Sequence, residues 1–374
     1  MASPTASPAT GVASRFRRWF LPGFVFQSVV VAGGYGTGRE LVEFFLSQGP
    51  MGGLLAIGVT TLVFSAVCMA SFEFARIHQA FDYRHFFQKL LGRAWVLFEL
   101  GYVVLLMIVL AVIAAASGTI ILETFGLPYW VGVVVVMAAV GGLVFGGSEV
   151  VERFLAGWSF LLYGLYVVFF VWCFQAFGSE IGRMLPSEPA GTGWAWAGLR
   201  YAGYNLAVIP AVLITVRTHR SRSDSLVAGA LAGPLAILPG LLFYLSMVGQ
   251  YPVILDRPVP ANHILEVLGS RAFQVAFQVV LFGTLVETGA GLIHAVNERM
   301  AGLMTDRHAE LPRWVRPTVA LGFLVLGTLL SRFGLIDLIA AGYGTLTLVM
   351  IAVFVVPILT VGVWKIRTHA AQPG

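Results

Sequence analysis

The first long apolar segment of the chain, residues 21–47, contains the run Ala32-Gly33-Gly34-Tyr35-Gly36-Thr37-Gly38-Arg39-Glu40. Glycine is a weak helix former, and an Arg-Glu pair is costly in apolar surroundings. Such a stretch is tolerated inside a membrane only where its broken backbone faces protein or a water-filled cavity. The chain is therefore expected to fold around an internal site at which its first spanning helix is interrupted.

Composition places that site in a membrane protein. The chain is 58% hydrophobic and 11% charged, with a mean hydropathy of +0.86. Soluble domains carry roughly 25% charged residues. The isoelectric point near 9.4 comes from basic residues between apolar segments, which points to membrane topology and not to a nucleic-acid partner. Cys68 and Cys173 both fall inside apolar segments and imply packing, with no disulfide framework. Residues 1–14 are rich in Ser, Pro and Ala and are expected to be disordered.

Spans are predicted at 21–47, 52–77, 94–124, 128–148, 153–178, 196–216, 225–249, 270–302, 314–333 and 336–366. Spans 3 and 8 are the longest of these. Of the 23 Lys and Arg residues, seventeen fall in one alternating set of connections and four in the other; Arg39 and Arg200 lie within spans. This bias predicts a multi-pass protein of the cytoplasmic membrane with both termini in the cytoplasm. The domain reading is a first five-span repeat over 15–190, a second over 191–368 and a cytoplasmic tail over 369–374.

The two halves correspond. Gly33-Gly34-Tyr35 in span 1 is matched by Ala202-Gly203-Tyr204 in span 6, and Pro210 predicts a further interruption there. Five spans is an odd number, so the second half must be inverted relative to the first. Inverted repeats with discontinuous helices are a building plan of secondary transporters, with solute and ion held near the midplane.

The layout resembles the LeuT-type fold of the amino acid–polyamine–organocation superfamily. The string Gly33 to Glu40, followed by Phe44-Phe45, is similar to the opening of the YkvI-type membrane proteins, which carry a small-residue stretch ending in Gly and an acidic residue before aromatics. The resemblance implies a transporter-like all-α membrane fold of about ten helices, with spans 1 and 6 discontinuous. It implies no particular solute. In LeuT-type carriers a sodium site lies between span 1 carbonyls and span 8 hydroxyls, and Thr284 and Thr288 match that position in residue type.

The expected solute site is Gly33, Gly34, Tyr35, Gly36, Thr37, Gly38 and Arg39 in span 1, facing Gly203, Tyr204 and Asn205 in span 6. Thr37-Gly38-Arg39-Glu40 fits a capping box with Thr37 as N-cap and Glu40 reaching back. Arg39 has three open roles: a solute carboxylate, a buried acid, or outward snorkelling. Glu287 is the clearest acid inside a span and must be neutral, paired or holding a cation. It is read as a proton-coupling acid or as the partner of Arg39. Thr284 and Thr288 share one helix face; sodium coupling or bonds to their own helix account for them equally. His294 and Glu298 continue the Glu287 face toward the inner interface. Gly342-Tyr343-Gly344-Thr345 repeats Gly34-Tyr35-Gly36-Thr37 and reads as a chance recurrence in a glycine-rich chain. Asp337 reads as an outer gate or a helix cap.

The expectation is a secondary transporter for a small polar or zwitterionic solute, such as an amino acid, driven by Na+ or H+ and free of cofactors and resident metals. Its partners are the solute, the lipid bilayer and, compatibly with the sequence, further copies of itself. Inorganic cation transport with Glu287 as ligand, and a transport-incompetent sensor of the same fold, are the alternatives. No Walker pattern, paired catalytic acids or His-Glu metal motif stands inside the spans, so neither primary pumping nor an enzyme is expected.

Overall fold

The computed structural model describes residues 11–31, 33–145, 148–305, 312 and 314–370. The described residues form helices joined by short turns, and ten of the helical segments match the predicted spans. Eight are long and apolar enough to cross a membrane, from Pro50–His78 to Leu335–His369; Leu21–Val30 and Tyr129–Phe145 are shorter apolar helices. In chain order the spans are 21–48, Pro50–His78, Trp95–Phe125, Tyr129–Phe145, Ser148–Met184, Trp194–Thr218, Arg222–Val248, Arg271–Thr305, Val315–Phe333 and 335–370.

Span 5 is the longest single helix among the described residues, at 37 residues, ahead of span 8 at 35 and span 3 at 31. This corrects the expected ranking. No proline follows Ser148 until Pro186, so the helix runs past its apolar stretch on both sides. A second correction concerns the N-terminus: a helix covers Gly11–Trp19, so residues 11–14 are helical, and 1–10 lie outside the described residues.

Contacts divide the spans into two groups. Spans 2 and 7 pack along their lengths, span 7 against the first half of span 1 and span 2 against the first half of span 6; spans 3, 4, 5, 8 and 9 pack among themselves, with span 5 also against span 7. Span 10 lies against spans 2, 3 and 6. Its backbone widens into π-helix over Leu338–Tyr343, Ile351–Val355 and Ile358–Gly362. Single π turns often mark functional sites.

Both described chain ends lie on one face. There the Trp19 indole donates to Asp224 Oδ1 at 3.2 Å, and His219 Nε2 donates to the Arg18 carbonyl at 2.9 Å. Ser221 and Asp224 form a reciprocal capping box that starts span 7. The opposite face carries a short helix, Pro260–Leu268, absent from the sequence expectation because it is too short and too polar to span. Its Asn262 is the hub of a polar cluster. Asn262 Oδ1 accepts from Gln274 at 2.7 Å and Gln278 at 3.0 Å, and its Nδ2 donates to Glu266 at 3.1 Å and Glu123 at 3.3 Å. The helix is thereby tied to the ends of spans 3 and 8.

Candidate functional site

Span 1 is broken twice within a few residues. The first helix, Leu21–Val30, stops at Val31, whose ψ of 62° is non-helical. Gly33–Gly36 then forms a single helical turn, and Gly38 adopts φ 80° before helix resumes at Arg39. That left-handed φ is what glycine supplies without steric cost. The unwinding expected across all of Gly33–Gly38 is therefore confined to its two flanks. The expected capping box is not formed. The resumed helix is capped by Gly38, the Thr37 hydroxyl accepts from the Arg39 amide at 3.2 Å, and Glu40 turns elsewhere.

Glu40 is 5% exposed, and its Oε2 accepts a hydrogen bond from the Tyr204 hydroxyl at 2.6 Å. This bond joins the broken span 1 to span 6. Its surroundings are aromatic: Tyr204 stacks on Tyr343 of span 10 at 4.6 Å between centroids, Phe44 lies 5.6 Å from Tyr204, and Phe45 lies 4.6 Å from Tyr201. No Lys, Arg or His reaches Glu40 within ion-pair distance among the described residues. The hydroxyls of Tyr35, Tyr166 and Tyr201 are buried without a hydrogen-bond partner. The Tyr166 hydroxyl lies only 2.8 Å from where a Cβ at position 36 would stand. Buried polar groups normally find partners. Here Tyr35 and Tyr166 belong to the span 1 break, Tyr166 lying against Gly36, and Tyr201 belongs to the aromatic group around Phe44 and Phe45.

Arg39 takes the second of its expected roles, but with a different acid. Its guanidinium donates to the carbonyls of Leu255 at 2.7 Å and Arg257 at 3.3 Å and pairs with Glu43 at 3.0 Å. It thus clamps the resumed helix to the connection before Pro260, away from Glu40. The Ala261 amide donates to the Thr37 carbonyl at 3.0 Å, so the Pro260–Leu268 helix sits directly on the break.

Span 6 departs from expectation. It runs as α-helix over Trp194–Asn205, tightens to 3₁₀ over Leu206–Val208, and continues through Ile209–Val212 with Pro210 in its first turn. Proline is tolerated there because its missing donor would be unbonded anyway. Gly203 does not face a solute cavity: a Cβ there would stand 2.8 Å from Ile351 and 2.9 Å from Thr347 of span 10. Asn205 donates its amide to the Tyr201 carbonyl at 2.9 Å, one turn back. Of the three span 6 residues expected at the site, only Tyr204 reaches Glu40.

In span 8 the Thr284 hydroxyl donates to the Val280 carbonyl at 3.0 Å and Thr288 to that of Thr284 at 2.9 Å. Both therefore bond their own helix, which leaves their oxygen lone pairs as acceptors. Leu281, one turn before Thr284, lies against Gly36, so span 8 does pass beside the span 1 break. Glu287 is half-buried beside Tyr163 of span 5 and is not the partner of Arg39. His294 is half-buried; the side chain of Glu298 lies outside the described residues. Asp337 is exposed at the start of span 10.

Sequence reasoning missed Glu40, Phe44, Tyr166, Tyr201 and Tyr343 as site residues. Tyrosine in mid-span was the available signal, since a buried phenol needs a partner for its hydroxyl.

Ten spans and a double break in span 1 describe an all-α multi-pass membrane protein, and its fold is of the LeuT type. Over 93% of the chain the structure matches that of MhsT in complex with L-phenylalanine, covering 97% of that protein with a TM-score of 0.54 at 15% identity. A substrate-bound outward-open Na+-coupled sialic acid symporter aligns over 93% of the chain and 86% of its own length, with a TM-score of 0.46 and 13% identity. In sequence the chain is similar to the uncharacterized membrane protein YkvI of Bacillus subtilis (strain 168), at 23% identity over 295 residues, which is 75% of this chain and 80% of that protein. No family model matches the chain.

Proposed function

We propose that this chain is a cation-coupled secondary transporter for a small zwitterionic solute of the amino-acid type. The observation that carries this reading is the buried Glu40–Tyr204 bond between spans 1 and 6, with no cation paired to the carboxyl among the described residues. A lone carboxylate in a membrane interior requires a proton or a cation. The ammonium group of a zwitterion meets that requirement, and the aromatic walls favour it further. The positive flank of the break at the start of the resumed helix suits the solute carboxylate. The fold likeness to MhsT, solved with L-phenylalanine, supports the amino-acid class.

Two groups serve coupling. Glu40 exchanges a proton when no solute is present. Thr284, one turn beyond the Leu281 that packs on Gly36, and Thr288 on the same helix face are the pair we assign to a sodium site. On this reading Glu40, and not Glu287 beside Tyr163, is the coupling acid. The Lys/Arg bias supports a topology with both chain ends in the cytoplasm, and on that reading the face that carries Pro260–Leu268 is the outer one.

The test is uptake of a radiolabelled amino-acid panel into proteoliposomes under sodium and proton gradients. Wild type is expected to accumulate at least one member, Glu40→Gln to lose accumulation, and Glu287→Gln to retain it. A folded wild type that moves no member of the panel, or a Glu40→Gln variant with undiminished uptake, overturns the reading.

A further inference from the structure

A concave site lies near Phe44, one turn before Tyr204 on span 6. It is a pocket of about 330 Å³ between spans 6 and 10, lined by Trp196, Arg200, Ala340, Ala341, Gly344 and Thr345, with Leu348 at its edge. Its rim faces outward from the bundle: Trp196 is 49% and Leu348 52% exposed. The one charged group is Arg200, which stands within span 6.

The Arg200 guanidinium makes no hydrogen bond and no ion pair among the described residues. It rests on the Phe44 ring, with Cζ 5.4 Å from the centroid. A Cβ at position 344 would overlap Arg200 Nη2. The glycine therefore makes room for the guanidinium, and Ala340 and Ala341 keep the neighbouring wall low. On the backbone side, the Thr347 hydroxyl donates to the Arg200 carbonyl at 3.0 Å and fixes this turn of span 6 against span 10. The arrangement is a fixed cation in an apolar groove with space in front of it.

A guanidinium at this depth is expensive unless it is paired. No carboxylate of the described residues supplies the pair, which leaves the half-buried guanidinium open to an anion from outside the chain. A planar guanidinium binds a carboxylate or phosphate through two parallel hydrogen bonds. The exposed Trp196 and Leu348 flanking the pocket offer apolar surface to a hydrocarbon chain lying along the groove.

We propose that this pocket binds an amphipathic anion, with its carboxylate or phosphate on Arg200 and its acyl chain on the apolar rim, and that the occupant acts on the central site through Phe44. Phe44 touches both the Arg200 guanidinium and Tyr204, the residue that bonds Glu40. An anion drawing Arg200 outward removes the cation from one face of Phe44 and frees that ring to move. The proposal concerns a site separate from the transport site and stands whether or not the chain transports.

The test uses the full-length protein in nanodiscs of phosphatidylcholine, with defined additions of phosphatidylglycerol, palmitate or inorganic phosphate. Thermal unfolding and native mass spectrometry are read for wild type, Arg200→Gln, Arg200→Lys and Gly344→Val. Wild type is expected to retain and be stabilised by phosphatidylglycerol or palmitate. Arg200→Gln is expected to bind about ten-fold more weakly, as loss of a charged hydrogen-bond partner implies. Arg200→Lys should fall between the two, and Gly344→Val should lose the occupant by filling the pocket. Binding of phosphatidylglycerol alone assigns the site to a lipid headgroup; binding of palmitate alone assigns it to a free fatty acid. Equal retention of phosphatidylcholine, undiminished binding by a folded Arg200→Gln, or a response to inorganic phosphate only overturns the proposal.

Discussion

The sequence pairs spans 1 and 6 through Gly33-Gly34-Tyr35 and Ala202-Gly203-Tyr204, yet the two depart from regular helix in different ways. Span 1 leaves helical geometry on both sides of one short turn, and its polar groups point across the protein: Glu40 to Tyr204, the Thr37 carbonyl to Ala261, Arg39 to the loop before Pro260. Span 6 only tightens to 3₁₀, and its Asn205 returns to its own backbone. A sequence repeat therefore conserves the position of an interruption without conserving its chemistry. The first half supplies charge and open backbone. The second supplies a phenol and an aromatic wall.

Substitutions can break this asymmetry. The largest effect is expected at Glu40: Glu40→Gln should lower solute uptake by about a hundred-fold, because it removes the only acid at the break, whereas Asn205→Ala should stay within about three-fold. Equal losses at both positions in proteoliposome uptake would return the two spans to equivalence. Next is Tyr204→Phe, which deletes a hydrogen bond to a buried carboxylate and should cost about ten-fold in uptake. Retention of wild-type uptake by Tyr204→Phe would leave the cross-repeat bond without a role.

Backbone effects follow. Gly38→Ala forces a side chain into φ 80° with Met247, Phe243 and Pro260 atoms each 3.2 Å away. It should destabilise the protein by about 1–2 kcal/mol from the left-handed conformation alone, read as a lower midpoint of thermal unfolding. An unchanged midpoint would mean that the second flank of the break is not fixed by Gly38.

The smallest effect lies outside both interruptions and serves as their control. Burial holds the His219 imidazole below the ordinary histidine range, against the raising influence of the Arg18 carbonyl and of Asp224. A histidine whose folded value is depressed contributes stability that is present above its unfolded pKa, roughly 6.5. That contribution is lost as the pH falls toward the folded value. Lowering the pH from 7.5 to 5.5 should therefore loosen the Gly11–Trp19 helix, which His219 holds through Arg18, and raise tryptic cleavage at Arg15, Arg17 and Arg18. His219→Gln should flatten that response. A pH response that survives this substitution would assign it to other groups.

Much of the architecture was legible because lipid imposes one dominant rule. Every segment apolar over the required length became a span, and the Gly-rich run of span 1 became a break. Legibility failed where the decisive contact was distant in sequence. Thr37-x-x-Glu40 satisfies the one-dimensional pattern of a capping box, but a hydroxyl 164 residues away outcompetes the local amide for the carboxylate. Gly342-Tyr343-Gly344-Thr345 looked like a chance repeat of span 1. Its tyrosine stacks on Tyr204, and its Gly344 makes room for Arg200. The Pro260–Leu268 helix escaped notice because hydropathy over long windows does not register a nine-residue helix. Asn205 was chosen for its polarity, and only the structure reveals that its amide is already spent on Tyr201.

The isolation of Glu40 also has an electrical consequence. With Arg39 paired to Glu43 and Arg200 resting on Phe44, Glu40 when ionised is a negative charge that no ion pair among the described residues balances. Any rearrangement that shifts this carboxylate relative to the bilayer moves charge through the membrane potential, worth about 2.3 kcal/mol per elementary charge for each 100 mV. A bound proton or ammonium cancels that charge. The empty and the loaded protein thus respond differently to voltage, and the rate of one half-cycle is set by the membrane as much as by the solute.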